Sequence, residues 1–136
     1  MTRRALLIVL IAGSLRAADP AREVFDLVSD AAASLSAGNA AAFLQAFDRA
    51  MSDYAKLREN VTGLLALGDV RSAIEPLEDA GDERRRTVQF QWTLRILRGQ
   101  AATATVRREQ VVKCAVEKQS GKWRITAIEP VDFFKP

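Results

Sequence analysis

The fold is decided by residues 87–131, TVQFQWTLRILRGQAATATVRREQVVKCAVEKQSGKWRITAIEPV. A strand turns successive side chains to opposite faces, so a half-buried strand alternates apolar and polar residues. Val88, Phe90, Trp92, Leu94 and Ile96 fall on one parity, with Thr87, Gln89, Gln91, Thr93 and Arg95 on the other. The stretch predicts three consecutive strands, Thr87–Leu97, Thr103–Glu117 and Trp123–Val131. Turns are expected at Arg98-Gly99-Gln100 and Gln119-Ser120-Gly121-Lys122. In the second strand Ala104, Val106, Val112, Cys114 and Val116 share a face, but Arg108 and Gln110 fall on the same parity and interrupt it. Trp123, Ile125 and Ala127 form the apolar face of the third.

The chain before this stretch has a different period. Asp19-Pro20 is a helix start, with Asp as N-cap, Pro at the first helical position and Glu23 near the positive end of the dipole. Val24, Phe25, Leu27, Val28, Ala31, Ala32 and Leu35 recur at spacings of three and four, the signature of one amphipathic face. Gly38 ends this helix, and Asn39 caps a second, shorter one through Ala42, Phe43, Ala46 and Phe47. A third begins near Ser52, carries Tyr54, Leu57, Val61, Leu64 and Leu65, and closes at Gly68. Short helices are marginal alone and need a surface to cover. Val70, Ser72 and Ile74 then suggest a further strand, which Pro76 restricts to an edge or a bulge, with a turn at Ala80-Gly81-Asp82. The fold class is α+β: N-terminal helices packed on an antiparallel sheet.

Residues 1–17 read as an address. Thr2-Arg3-Arg4 is a positive n-region, and Ala5–Gly13 is an apolar run too short to span a bilayer, which takes about 20 residues. Small residues follow, and a cut after Ala17 or after Ser14 fits them; the first is adopted, giving residues 18–136 as one domain. Export to the periplasm or medium is therefore expected, with no stable membrane insertion after cleavage.

Removing the leader takes three of the twenty basic residues, Arg3, Arg4 and Arg16, and leaves seventeen against seventeen acids. A nucleic-acid binder needs a basic excess to release counterions from phosphates, so no nucleic-acid partner is expected. Charge is nonetheless uneven. Residues 18–83 hold thirteen acids and five bases, whereas 84–136 hold four acids and twelve bases. The single Cys114 forms no internal disulfide, and its apolar strand context predicts burial.

Several chemistries are excluded. There is no His and one Cys, so neither a metal site nor a His-dependent acyl-transfer triad is expected. No loop has the alternating Asp/Asn spacing of a calcium site, and no Gly-rich phosphate loop is present; no cofactor is expected.

The Ser36-Ala37-Gly38-Asn39 helix junction and the closing Ser120-Gly121-Lys122-Trp123-Arg124-Ile125, a turn followed by a G-x-W-x-I strand start, resemble the nuclear-transport-factor-2-like, cystatin-like cone, in particular small exported bacterial proteins of unknown function. The resemblance implies a pocket between the concave sheet and the helices. The family includes ketosteroid isomerase, scytalone dehydratase, limonene epoxide hydrolase, polyketide cyclases and non-enzymatic association domains. Fold does not choose among these. Its enzymes commonly use Asp, Tyr or His in the pocket; this chain has no His and no Asp here aligns with such a position, so no catalytic residue is carried over.

Four residues are candidates for lining that pocket: Tyr54, Trp92, Arg108 and Gln110. Trp92 lines a wall or fills the core; Tyr54 places a hydroxyl at the mouth or packs half-buried. If strand parity holds, Arg108 and Gln110 point into the cone and hold an anionic or carbonyl-bearing ligand. The favoured alternative is a β-bulge near Arg107-Arg108 that rotates both to solvent. The ending Val131-Asp132-Phe133-Phe134-Lys135-Pro136 is apolar for a chain end, so Phe133 or Phe134 is expected to dock, on this domain or across a dimer. The resulting expectation is a non-catalytic domain that binds a small apolar or anionic ligand or a protein partner, as a homodimer through the sheet's outer face. The alternative is a small isomerase, dehydratase or cyclase working through those polar groups.

Overall fold

A computed structural model describes residues 19–98 and 105–136. The leader, the tip of the Arg98-Gly99-Gln100 turn, the Thr103 strand start and Ala104 lie outside the described residues.

Three helices come first, α1 (Pro20–Ser36), α2 (Ala40–Leu44) and α3 (Tyr54–Leu67). The Asp19 carboxylate accepts from the Arg22 backbone N–H at 3.3 Å, and Pro20 opens α1. Helix α1 buries Val24, Val28, Ala31, Ala32 and Leu35, the stripe its spacing predicts. Gly38, at φ 72°, makes the left-handed exit that a side chain would resist. Asn39 Oδ1 then accepts from Ala42 N–H at 3.0 Å and starts α2.

Helix α2 stops at Leu44, short of the expected Phe47, because the backbone beyond it is claimed by the sheet. Ile125 N–H donates to Ala46 C=O at 2.8 Å, and Asp48 N–H donates to Ile125 C=O at 2.9 Å. Phe47 thereby pairs with Ile125 in parallel. Helix α3 has no side-chain N-cap bond at Asp53 and buries Leu57, Asn60, Val61 and Leu64.

Four strands among the described residues follow, β1 (Gly68–Gly81), β2 (Arg85–Arg98), β3 (Thr105–Gln119) and β4 (Lys122–Glu129). They form one curved antiparallel sheet in sequence order. Strand β1 follows α3 without a loop; a Cβ on Gly68 would sit 2.1 Å from the Leu97 carbonyl oxygen, so only glycine fits that start. Pro76 lies on this edge strand, where register slips between Pro76 and Glu78, as a residue without an N–H requires. The first hairpin turns one residue later than expected, after Gly81. There the Asp82 carboxylate accepts from Arg84 and Arg85 N–H at 2.8 and 2.9 Å.

Ser120 and Gly121, at φ 50° and 82°, form the two-residue turn between β3 and β4. Strand β4 departs from its expected pattern. Register shifts opposite Ala115 and Val116, which pair with Ala127 and Ile125, so Thr126 is an extra residue. The bulge turns Ala127 outward and brings Ile128 into the core beside Trp123 and Ile125. Strand β4 also ends at Glu129, and Val131–Phe134 forms a single turn of 3₁₀ helix.

Strand β2 matches its reading: Val88, Phe90, Trp92, Leu94 and Ile96 are all buried. So are Val112, Cys114 and Val116 of β3, whereas Val106, opposite buried Ile96, stands 41% exposed.

Candidate binding site

The interior of the cone is occupied by the protein's own aromatic side chains. Trp92 is fully buried, and its indole N–H donates to Ser72 Oγ on β1 at 2.8 Å. Ser72 N–H donates in turn to Ser36 Oγ at the end of α1, at 2.9 Å. That chain of bonds fixes the indole and engages its N–H within the protein. The edge of Phe134 meets Trp92 with centroids 5.1 Å apart, and Phe134 also contacts Phe43 at 5.7 Å and Phe133 at 5.1 Å. Such edge-to-face packing is a preferred aromatic geometry. Trp92 is a core residue here, not a wall of open space, and Phe133-Phe134 docks on this domain.

The 3₁₀ turn carrying Phe134 is held by polar contacts from two elements. Asn60 Nδ2 of α3 donates to Val131 C=O at 3.1 Å. Arg108 Nη1 of β3 donates to Phe133 C=O at 3.0 Å and also to Lys135 C=O. An exposed ion pair, Lys56 Nζ to Asp132 Oδ1 at 3.2 Å, lies alongside.

The expected bulge at Arg107-Arg108 is absent. The β2–β3 ladder runs without a shift from Arg85↔Glu117 to Leu97↔Thr105, placing Arg108 opposite Leu94 and Gln110 opposite Trp92. Parity therefore holds, and both residues share the inward face. The physical reason is that the guanidinium has backbone carbonyls to bond, so nothing forces the strand to rotate it away. Partial burial, and then the nearby Arg98, lower the Arg108 pKa from its usual value. The carbonyl-bearing group that Arg108 holds belongs to this chain. Gln110 is exposed on the lip of a shallow depression of about 450 Å³ shared with Arg108, Pro130 and Phe133. Every buried side-chain N or O atom among the described residues has a hydrogen-bond partner.

Tyr54 is elsewhere. It lines a groove of about 830 Å³ formed by α2, the 45–49 segment, the first turns of α3 and the start of β4. The four expected residues are thus not brought together: Trp92 lies in the core, Arg108 and Gln110 at one depression, Tyr54 at another.

The groove's other residues escaped the sequence reading. Asp48 is tied down: its carboxylate accepts from Gln119 Nε2 at 3.0 Å and from Ala50 N–H at 2.9 Å. The Gln119 bond first, then the Ala50 bond, hold its pKa below the usual carboxylate value, with Arg124 adding a smaller pull. Arg124 Nη1 donates to Gln45 C=O at 2.8 Å. Buried Leu44 and Phe47 supply apolar wall. One signal was present in the sequence: Tyr54 and Arg58 are one helical turn apart, and Lys122 and Arg124 share a strand parity. Nothing local showed that the two pairs meet.

No protein-family model and no curated protein matches the sequence. Solved structures do match. A Mycobacterium tuberculosis protein of unknown function superposes with a TM-score of 0.66 at 14% identity, over 78% of this chain and 67% of that one. A cystatin-like protein of unknown function from Nostoc punctiforme superposes at 0.60 with 18% identity, over 78% and 85%. An NTF2-like protein with a cystatin-like fold from Novosphingobium aromaticivorans gives 0.62 with 14% identity, over 87% and 84%. The chain has the nuclear-transport-factor-2-like, cystatin-like fold.

Proposed function

We propose that this chain, with its nuclear-transport-factor-2-like fold, is an exported, non-catalytic binding domain that recognises a small molecule at its surface. The observation that carries the reading is the filled cone. Phe134 and Trp92 take up the space where a substrate would sit, and the polar groups around them are already bonded to the chain itself. An isomerase, dehydratase or cyclase needs an acid or base within reach of a bound substrate. Tyr54 and Arg108 line different depressions and do not converge on one.

Export rests on the Arg3-Arg4 n-region and the apolar run after it. Two copies of the domain pair through the outer face of the sheet, where Val111 is 45% exposed opposite Gln91. The test is to express the full chain in a Gram-negative host and recover it from the periplasm. A thermal-shift screen against small apolar acids and neutral ring compounds then follows, with each compound assayed for conversion. The expected result is a leader cut after Ala17, a rise in Tm with at least one ligand, and no conversion of any. Conversion that is lost in Tyr54→Phe or Arg108→Gln would establish the enzyme alternative instead.

A further inference from the structure

The groove beside β4 lies outside the cone, and its charge is unbalanced. Four cationic side chains line it, Arg49, Arg58, Lys122 and Arg124, against one acid, Asp48. Asp48 is already satisfied by Gln119 and Ala50, and Arg124 uses one nitrogen on Gln45 C=O. The side chains of Arg49, Arg58 and Lys122 are exposed and make no ion pair or hydrogen bond among the described residues.

Composition alone does not produce this cluster. Residues 18–83 contain thirteen acids and only five bases, and two of those five, Arg49 and Arg58, line the groove. They meet Lys122 and Arg124 from a distant strand because Ile125 draws the 46–48 segment onto β4. The two arginine guanidinium groups left without partners match carboxylate and phosphate oxygens in a fixed fork, and the lysine adds a point charge. Buried Leu44 and Phe47 and half-buried Tyr54 give a hydrocarbon wall beside the charges. The volume of about 830 Å³ lies within the usual range for small-molecule sites.

We infer that the groove binds a small, multiply charged anion whose oxygens belong to carboxylate or phosphate groups. The inference rests on the reading of the chain as a binding domain and names the ligand class that domain takes.

The test is calorimetric titration of the purified chain at low ionic strength with citrate, with inorganic phosphate, and with glucose as the uncharged control. Citrate and phosphate separate the carboxylate from the phosphate source. Saturable binding of one or both is expected, with no heat from glucose. The double variant Arg58→Glu/Lys122→Glu should weaken binding by at least about tenfold, the scale of losing close charge pairs. Arg84→Glu, which changes net charge in the first hairpin turn, should leave affinity unchanged. Should the charge-reversed pair fail to fold, Arg58→Gln/Lys122→Gln gives the same comparison with less repulsion. The inference is overturned if neither anion binds, if the double variant binds as well as the parent, or if Arg84→Glu weakens binding equally. A neutral ligand found in the thermal-shift screen beside silent citrate and phosphate removes this inference and leaves the binding-domain reading standing. Substrate conversion in that screen removes the reading itself.

Discussion

Arg108 and Gln110 sit two apart on one strand and share a face, yet their situations differ. The Arg108 guanidinium bonds the carbonyls of Phe133 and Lys135, whereas Gln110 is exposed with no such anchor. Hydrogen bonds to a charged group contribute roughly 1.5–3 kcal/mol, so Arg108→Ala should destabilise the protein by about 2 kcal/mol in urea unfolding. Gln110→Ala should be close to neutral. Equal, near-zero effects would show that the 3₁₀ turn does not depend on Arg108. Cys114 offers a second check at this scale. Burial pushes its thiol pKa up to about 12, and the thiolate is the reactive form. Thiol reagents at pH 8 should therefore modify Cys114 only after denaturation; rapid labelling of the native protein would contradict its burial.

Among the elements, the 45–49 segment and the Val131–Phe134 turn matter most, and neither was fully legible in the sequence. The alternation from Val88 to Ile96 declared β2 outright, because a regular strand buried on one face writes its period into residue order. Asp19-Pro20 and Ser36–Asn39 marked helix ends for equally local reasons, side-chain capping of N–H groups at the two starts and a left-handed glycine at the exit of α1. The end of α2 was different. Ala46 and Phe47 continue its apolar pattern, and what stops the helix is Ile125, some eighty positions away, bonding to that backbone. The Thr126 bulge and the fate of Arg108 were hidden for the same reason, since each depends on a distant partner. The docking of Phe133-Phe134 was readable as an apolar ending, but its landing against Trp92 was not.

Two predictions belong to these elements. Phe134→Ala removes a fully buried ring from the centre of the aromatic cluster and should cost about 3–5 kcal/mol. A cost below about 1 kcal/mol would mean that the turn packs loosely. Asp48 orders the 45–49 segment through two hydrogen bonds that lower its pKa. A carboxylate whose folded pKa is depressed contributes stability above its unfolded pKa of about 3.9 and loses it as pH falls through the folded value. Comparing Tm of the parent and Asp48→Asn from pH 6 down to pH 2, the parent's advantage should shrink below about pH 4. An advantage that stays constant with pH would contradict the depressed pKa.

At the scale of the whole molecule, a curved sheet and three helices would ordinarily leave a hollow cone, and here a turn after β4 fills it. Trp92, Phe43, Phe133 and Phe134 pack against one another at the centre of the hydrophobic core. The charge split does not follow the layers: Asp69, Glu75, Glu78, Asp79, Asp82 and Glu83, six of the thirteen acids of residues 18–83, lie in β1 and the turn after it, and Arg49 and Arg58 of the same half line the groove beside β4. The filled cone is open to direct measurement. The chain has two tryptophans, so its indole N–H resonances number two, and the Trp92 signal reports the interior because the Trp92 ring is fully buried and packs on Phe134. Benzene enters apolar cavities where they exist. In a benzene titration followed by NMR, the Trp92 resonance of the unaltered protein should stay in place, while in Phe134→Ala it should move saturably as the vacated space fills. A saturable shift of the Trp92 resonance in the unaltered protein would contradict the filled cone and return the ligand to its interior.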